Sequence, residues 1–436
     1  MKTTMYLILM LLFASLPIQA QIDIKGKIKN QTLNRANQRT DQAIDKGLDE
    51  AEKGVINSVK KDKKDNNEES EGEENEDSSS DEEATDDESD KTGTTKKEVA
   101  PKLEAYSKYD FVPGEKVIFY DDFSQDAVGD FPALWNTNGS AEVVTTNLFP
   151  GKWMKFSCDE AIWTDALLNL PENYTIEFDV VPVSAEDEEG MKGYQMRLIQ
   201  SINLNSIDHG AVPGKSGLVV YVEYYGQMGY RAYNNQGTNH DIKGAKEGDN
   251  YKQRKEKKYH MALWVQKSRV RVYQNETKMF DLPKAFPYPE MKMDRLRFET
   301  GAAMVSNIRI AVGNPDMRSK LLTEGKLVSY GIYFDVNKDV VKPESTGTLK
   351  GIAAVLTENP DVRIKIVGHT DSDGADAANL DLSKRRAAAV KNELVSSFAI
   401  DASRIETDGM GEGAPVAPND VSANKAMNRR VEFIKL

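Results

Sequence analysis

The sequence predicts a multidomain chain in which an amphipathic helical segment and a disordered acidic linker precede an all-β sandwich and then a small α/β sandwich. Three observations carry this reading. Residues 68–90 contain fourteen Asp or Glu and no Lys or Arg; residues 102–318 hold short runs of β-formers punctuated by Gly, Pro and Asn; from about residue 325 strand-like and helix-like patterns alternate. The 436 residues suit two or three domains at roughly 100–200 residues each. With 57 Lys+Arg against 70 Asp+Glu, the formal net charge is −13, so no global basic field exists and a generic nucleic-acid binder is disfavoured. A single cysteine, Cys158, and four histidines rule out a disulfide scaffold and a structural Cys/His zinc site.

Residues 1–20 read as an export signal: Lys2, an apolar stretch from Met5 to Ala14, Pro17, and the small-residue exit Ile18-Gln19-Ala20. The apolar run is shorter than the ~20 residues a spanning helix needs, so cleavage after Ala20 and a soluble mature chain outside the cytoplasm are expected. No Cys follows it, which excludes a bacterial-type lipid anchor. In residues 21–61, Ile44, Leu48, Ala51, Val55 and Val59 form a stripe at three- and four-residue steps. That stripe suits either an oligomerising or docking helix or a marginal helix that packs on the protein's own domains, since Gly47 and Gly54 weaken it. The linker, residues 62–101, carries a tract worth −14 that leaves the rest of the chain at +1. Such charge density cannot collapse, so the segment is an extended spacer reaching at most ~140 Å. It lacks the regular Asp-x-Asp-x-Asp-Gly spacing of ordered calcium loops.

Strands of the sandwich, residues 102–318, are expected at Lys116–Tyr120, Tyr174–Val180, Gly217–Val222, Met261–Val265, Arg269–Tyr273 and Asn307–Val312. Asp121-Asp122-Phe123, then Gly129-Asp130-Phe131-Pro132 and Trp135, and later Tyr259 to Val265, give this region its character. It resembles a concanavalin/laminin-G-like jelly roll. Sugar-cleaving members of that fold carry a Glu-x-Asp string closed by a second Glu; here Glu177-Phe178-Asp179 begins one, but Pro182 and Val183 follow. No catalytic residue is assigned. Trp153, Trp163, Tyr224, Tyr225 and Tyr230 are candidates for stacking on a sugar ring, although aromatics in a sandwich more often pack. His209, His240 and His260 lack paired spacing, and no metal site is assigned.

In residues 322–436, strands are expected at Val328–Phe334, Val362–Val367, Arg404–Thr407 and Arg430–Ile434, with helices at Pro343–Thr357 and Ala377–Phe398. Gly368-His369-Thr370-Asp371, then Asn379, Leu382-Ser383-x-x-Arg386-Ala387, Gly409-x-Gly411-Glu412 and Asn428-Arg429-Arg430-Val431 follow in order. This set resembles the OmpA-like C-terminal domain, the peptidoglycan-anchoring module of Gram-negative envelopes. Asn424-Lys425 stands where the family usually has Gly-Arg, which affects the local turn.

Asp371 is expected at a strand exit, with Asn379, Ser383 and Arg386 on one face of the following helix. A carboxylate and a guanidinium facing one pocket suit a zwitterion, the acid accepting its ammonium and the fork its carboxylate. The resemblance implies that Asp371 and Arg386 hold the free end of diaminopimelate in the stem peptide, lined by Asn337, Thr370, Asn379 and Arg429, with Asp373 beside them. His369 is read as a structural histidine.

The chain is thus expected to be a non-enzymatic periplasmic protein, associated with the outer membrane and its peptidoglycan, with no cofactor. It grips the wall while the β-sandwich is presented at the far end of an acidic tether. The N-terminal helix is a candidate for homo-oligomerisation. An alternative reading makes it a glycan-binding, lectin-like protein or an envelope-complex scaffold, in which the β-sandwich takes a glycan or protein ligand and the OmpA-like domain only localises it.

Overall fold

The computed structural model describes residues 109–183, 191–203, 212–236, 240–313 and 316–436. The expectations for residues 1–20, 21–61 and 62–101 lie outside the described residues, as does His209. Thirteen strands build the first domain among the described residues. They are β1 Lys116–Asp121, β2 Trp135–Thr137, β3 Ala141–Thr145, β4 Lys152–Thr164, β5 Asn173–Pro182, β6 Tyr194–Gln200 and β7 Ser216–Val222. β8 Met228–Asn234, β9 His240–Ala245, β10 Tyr259–Gln266, β11 Arg269–Gln274, β12 Thr277–Leu282 and β13 Arg295–Val312 complete it.

The order is β12-β11-β10-β5-β13-β6-β7-β8-β9, all neighbours antiparallel. β13 joins two layers because its first half pairs with β6 and its second half with β5. Ile176 and Phe178 of β5, Leu263 of β10, and Leu218 and Val220 of β7 meet in one core. That closure follows from period-two alternation: Val270 and Val272 are fully buried, whereas Arg269 and Arg271 point away from the core.

The second domain has a four-stranded sheet, β14 Lys326–Ser329, β15 Ile364–His369, β16 Ile405–Gly411 and β17 Val431–Lys435, ordered β14-β17-β15-β16. β15 and β16 are parallel. Its helices are α1 Met317–Leu322, α2 Thr346–Glu358, α3 Asp376–Phe398 and α4 Ser422–Asn428. Leu349, Ile352 and Leu356 of α2 and Val390 and Leu394 of α3 cover Ile364, Ile366 and Phe433 of the sheet.

The strand expected over Val328–Phe334 ends at Ser329, because the Tyr333 amide donates to Ser345 Oγ at 2.9 Å instead of to a ladder, and its side chain leaves for the other domain. α4 is absent from the sequence reading, since Ser422, Asn424 and Asn428 are poor helix formers; the Asn424 amide donating to Asp420 (2.7 Å) and the Lys425–Asp373 ion pair (2.6 Å) secure it.

The β-sandwich is not at the far end of a tether from the C-terminal domain: the two pack directly within one compact unit. At Gly347 in α2 a Cβ would lie 2.0 Å from the Phe111 carbonyl oxygen, so only glycine lets the helix pass that segment. Between the domains lies a buried polar network on the outer face of β5. Arg309 Nη1 donates to Glu177 Oε1 at 2.8 Å, and the Tyr333 hydroxyl donates to Oε2. His260 Nδ1 lies 2.9 Å from Asp179 Oδ1, and Asn307 Nδ2 donates to Oδ2 at 3.0 Å. Asn307 reaches it from a left-handed bulge (φ 52°) in β13.

Burial by itself would raise the Glu177 carboxyl, yet Arg309, His260 and Tyr333 outweigh it and hold the group below its ordinary value. Burial likewise opposes charge on His260, but Asp179 and Glu177 prevail and raise the imidazole to about 9. Between ~6.5, the ordinary imidazole value, and about 9, the folded chain keeps a proton that the unfolded chain has released. This stabilisation is complete at the lower end and is lost as pH rises. Urea unfolding of the full chain is expected to lose up to ~3 kcal/mol from about pH 6 to about pH 10, a loss absent in His260→Gln. An equal pH dependence of the two proteins would refute the contribution.

Candidate functional site

Strand β15 delivers Asp371 to the edge of the second domain, and the loop after it turns back through Gly374 (φ 109°) into α3. α3 lies tight on the neighbouring strand: a Cβ on Gly409 would sit 2.3 Å from Ser383 Oγ. The Gly411 amide donates to that oxygen at 2.9 Å, and the Thr370 amide donates to Gly411 O at 2.9 Å. The glycines of the Gly409-x-Gly411 motif therefore set the height of the helix above Asp371.

Asn379, one turn into α3, is buried and holds the loop. Its Nδ2 donates to Glu412 Oε2 at 2.6 Å and approaches the carbonyl oxygens of Asp371 and Asp373 at 3.3 and 3.2 Å. Asn379 thus shapes the site from behind. Asp371 is 7% exposed. Its Oδ1 accepts the Asp373 amide at 3.2 Å, an Asx-type turn, and its Oδ2 accepts Arg429 Nη1 at 2.6 Å. Beside it the Thr370 hydroxyl is buried without a hydrogen-bond partner. Such an orphan is uncommon in a folded interior.

Arg386 does not pair directly with Asp371. Its Nε donates to Lys338 O at 2.9 Å and its Nη2 to Asp335 O at 3.2 Å, and the guanidinium lies 4.8 Å from the Phe334 ring centroid. Burial lowers its pKa to about 10 against the supporting charge of Asp371, so it remains a cation at neutral pH. Asn337 sits exposed and left-handed (φ 57°) in the turn that Arg386 holds. Thr370, Asp371, Asp373, Asn379 and Arg429 are therefore brought together in one loop cluster, and Asn337 and Arg386 in a second group coupled to it through charge.

The Asn428-Arg429-Arg430 run divides its labour. Asn428 accepts the Val416 and Ala417 amides at 2.8 and 3.1 Å, and Arg430 donates to Glu432 Oε1 at 2.9 Å, both internal supports. Arg429, at the C-terminal end of α4, alone turns to Asp371. Burial opposes its charge, but Tyr120, Asp371 and Asp122 hold its pKa above the ordinary value. Lys425, pairing with Asp373 at 2.6 Å, escaped the sequence reading as a partner. Its position four residues before Arg429, on one helix face, is the signal that would have found it. His369, expected to be satisfied, has neither ring nitrogen hydrogen-bonded; Nε2 stands 3.7 Å from Glu432 Oε1.

On the β-sandwich, Trp153 and Trp163 are core residues at 2% and 7% exposure, and Tyr230 packs on Phe280 with ring centroids 4.9 Å apart. Of the five candidate stacking aromatics, Tyr224 and Tyr225 remain open, at 47% and 79%. No group of three or more His, Cys, Asp or Glu fit for a metal exists among the described residues.

The OmpA family model matches residues 333–429. The chain is 46% identical over 105 residues to Outer membrane porin F of Pseudomonas fluorescens, covering 24% of this chain and 32% of that protein. It is 42% identical over 102 residues to Probable lipoprotein YiaD of Escherichia coli (strain K12), covering 23% of this chain and 46% of the relative. The chain thus spans about a third to a half of these relatives. Among solved structures, the peptidoglycan-associated lipoprotein from Burkholderia pseudomallei is 31% identical, covering 24% of this chain and 88% of that one, with a TM-score of 0.23. The strand-loop-helix site built around Asp371 and this family match coincide, and residues 333–429 are a domain of the OmpA family.

Proposed function

We propose that this chain is a non-enzymatic protein of the Gram-negative envelope that anchors to peptidoglycan by binding the diaminopimelate of an uncross-linked stem peptide. The observation that carries the reading is the arrangement around Asp371. A buried carboxylate at a strand exit is paired with the Arg429 guanidinium and coupled through charge to that of Arg386, inside a domain of the OmpA family. In this reading Asp371 accepts the ligand's ammonium and Arg386 holds its carboxylate. Arg429 and Asp373 frame the cleft, Thr370 offers its buried hydroxyl, Asn379 fixes the loop, and Asn337 carries the turn at the rim. Each charge-assisted bond contributes about 1.5–3 kcal/mol, so one stem is held modestly and many copies on a polymeric wall add avidity. Two further features are part of the proposal: export through residues 1–20 to the periplasm, and homo-oligomerisation through residues 21–61.

The ligand's free amine is essential to the mechanism, because acylation removes the cation that Asp371 recognises. Titration of the full chain with stem peptides bearing a free or an acetylated diaminopimelate amine is expected to give clear preference for the free amine. Equal affinities would refute the assigned roles.

A further inference from the structure

Arg429 is the point at which the β-sandwich reaches the candidate site. The end of β1 lies against α4, where Gln125 Nε2 donates to Asp420 O at 2.9 Å and Ser422 Oγ donates to Tyr120 O at 3.5 Å. From this seam two sandwich side chains face Arg429. The Tyr120 ring centroid is 5.3 Å from the guanidinium carbon, and Asp122 Oδ2 is 3.8 Å from Nη2. Both are anchored on their own domain. The Tyr120 hydroxyl donates to Asn307 Oδ1 at 3.2 Å, and the Ser124 amide donates to Asp122 Oδ1 at 3.1 Å.

The charges make this contact consequential. Asp371 Oδ2 is already engaged by Arg429 at 2.6 Å, so the guanidinium cancels much of the field an incoming ammonium would feel. Asp122 supplies a second carboxylate on the other side of the same guanidinium. Its 3.8 Å approach is too long for a hydrogen bond and well within ion-pair reach. Two carboxylates around one guanidinium leave this end of the site net anionic, and the ring of Tyr120 holds the guanidinium by a cation–π contact. The neighbouring Asp373–Lys425 pair is neutral as a unit and adds no net charge.

We propose that Asp122 and Tyr120 of the β-sandwich belong to the ligand site of the OmpA domain, Asp122 as a specificity-determining carboxylate for a cationic ligand end and Tyr120 as a positioning residue for Arg429. The inference rests on the peptidoglycan reading above and deepens it: the binding unit is the two-domain body, and the ligand class it selects is a stem peptide with a free ammonium.

The test uses the full chain and stem peptides with a free or an acetylated diaminopimelate amine, with Asp371→Ala as reference and circular dichroism as the check on folding. Asp122→Asn is expected to weaken binding of the free-amine peptide about tenfold while leaving the acetylated peptide unchanged, so the selectivity ratio falls by that factor. Asp122→Glu restores most of the selectivity. Tyr120→Leu loses affinity several-fold and Tyr120→Phe loses less, because the ring packs on the Arg429 guanidinium and the hydroxyl also interacts with it. Equal loss for both peptides in Asp122→Asn marks a merely structural role and overturns the assignment, as does wild-type behaviour of Asp122→Asn and Tyr120→Leu. If Asp371→Ala also binds as the wild type, or the wild type does not bind, the peptidoglycan reading itself fails and this inference falls with it.

Discussion

Glu177→Ala is expected to destabilise the two-domain body by about 3–5 kcal/mol, the range for breaking a buried ion pair from one side. The carboxylate is 1% exposed and accepts from both Arg309 and Tyr333, so its removal strands a guanidinium that is itself 6% exposed. Arg309 keeps its bond to Gly114 O at 2.8 Å, which offsets part of the loss. Because Tyr333 belongs to the OmpA domain, loosening should begin at the domain seam. Limited proteolysis of Glu177→Ala is expected to separate the domains under conditions in which the wild type stays whole, and the urea midpoint should fall. The exposed Arg269–Asp281 pair is the internal control: Asp281→Ala should shift stability by no more than ~1 kcal/mol. If Glu177→Ala and Asp281→Ala unfold at the same midpoint, the buried network does not hold the domains together.

Asp371→Ala is expected to weaken binding to purified diaminopimelate-type peptidoglycan by about 2–5 kcal/mol, the cost of truncating one member of a desolvated charge pair. In a pull-down the wild type sediments with the wall and the folded variant remains in solution. The substitution also releases Arg429 from its 2.6 Å bond and leaves its guanidinium balanced by Asp122 alone, so the net negative charge that draws an ammonium is lost. Arg386→Ala should lose binding as well, through two routes that need separating. The side chain supplies the proposed carboxylate fork, and it also holds the Asp335 and Lys338 carbonyls and stacks on Phe334. Arg386→Lys keeps the charge and loses the planar fork, so weak binding by a normally folded Arg386→Lys assigns the effect to recognition. Retention of both Ala variants on the wall, with wild-type affinity, excludes the Asp/Arg mechanism.

Much of the fold was legible because it depends on local pattern. Val270 and Val272 alternate with Arg269 and Arg271, and the structure puts the valines in the core. Leu349, Ile352 and Leu356 repeat at helical steps and pack as α2 expects. The linked motifs from Gly368 to Val431 located the OmpA domain, since its glycines and small residues answer to close approaches between α3 and β16 that few other side chains permit.

Pairing between distant charges was not legible. Sequence spacing placed Asp371 and Arg386 together; the structure pairs Asp371 with Arg429, 58 residues on, and gives Arg386 to a turn. Asp122 and Tyr120 carry no signal of the OmpA family, and reach its site only because β1 ends against α4. The sharpest case is β5. Its Ile176-Glu177-Phe178-Asp179 alternation, read alone, gives one wet face, and the residues themselves determine which side chains enter the sandwich core. Yet both faces are buried, because the OmpA domain closes over the acidic one. Periodicity is a property of neighbours along the chain and survives without tertiary contacts. Whether an outward charge meets water or a guanidinium from another domain depends on docking, which the free energy of the assembled whole decides.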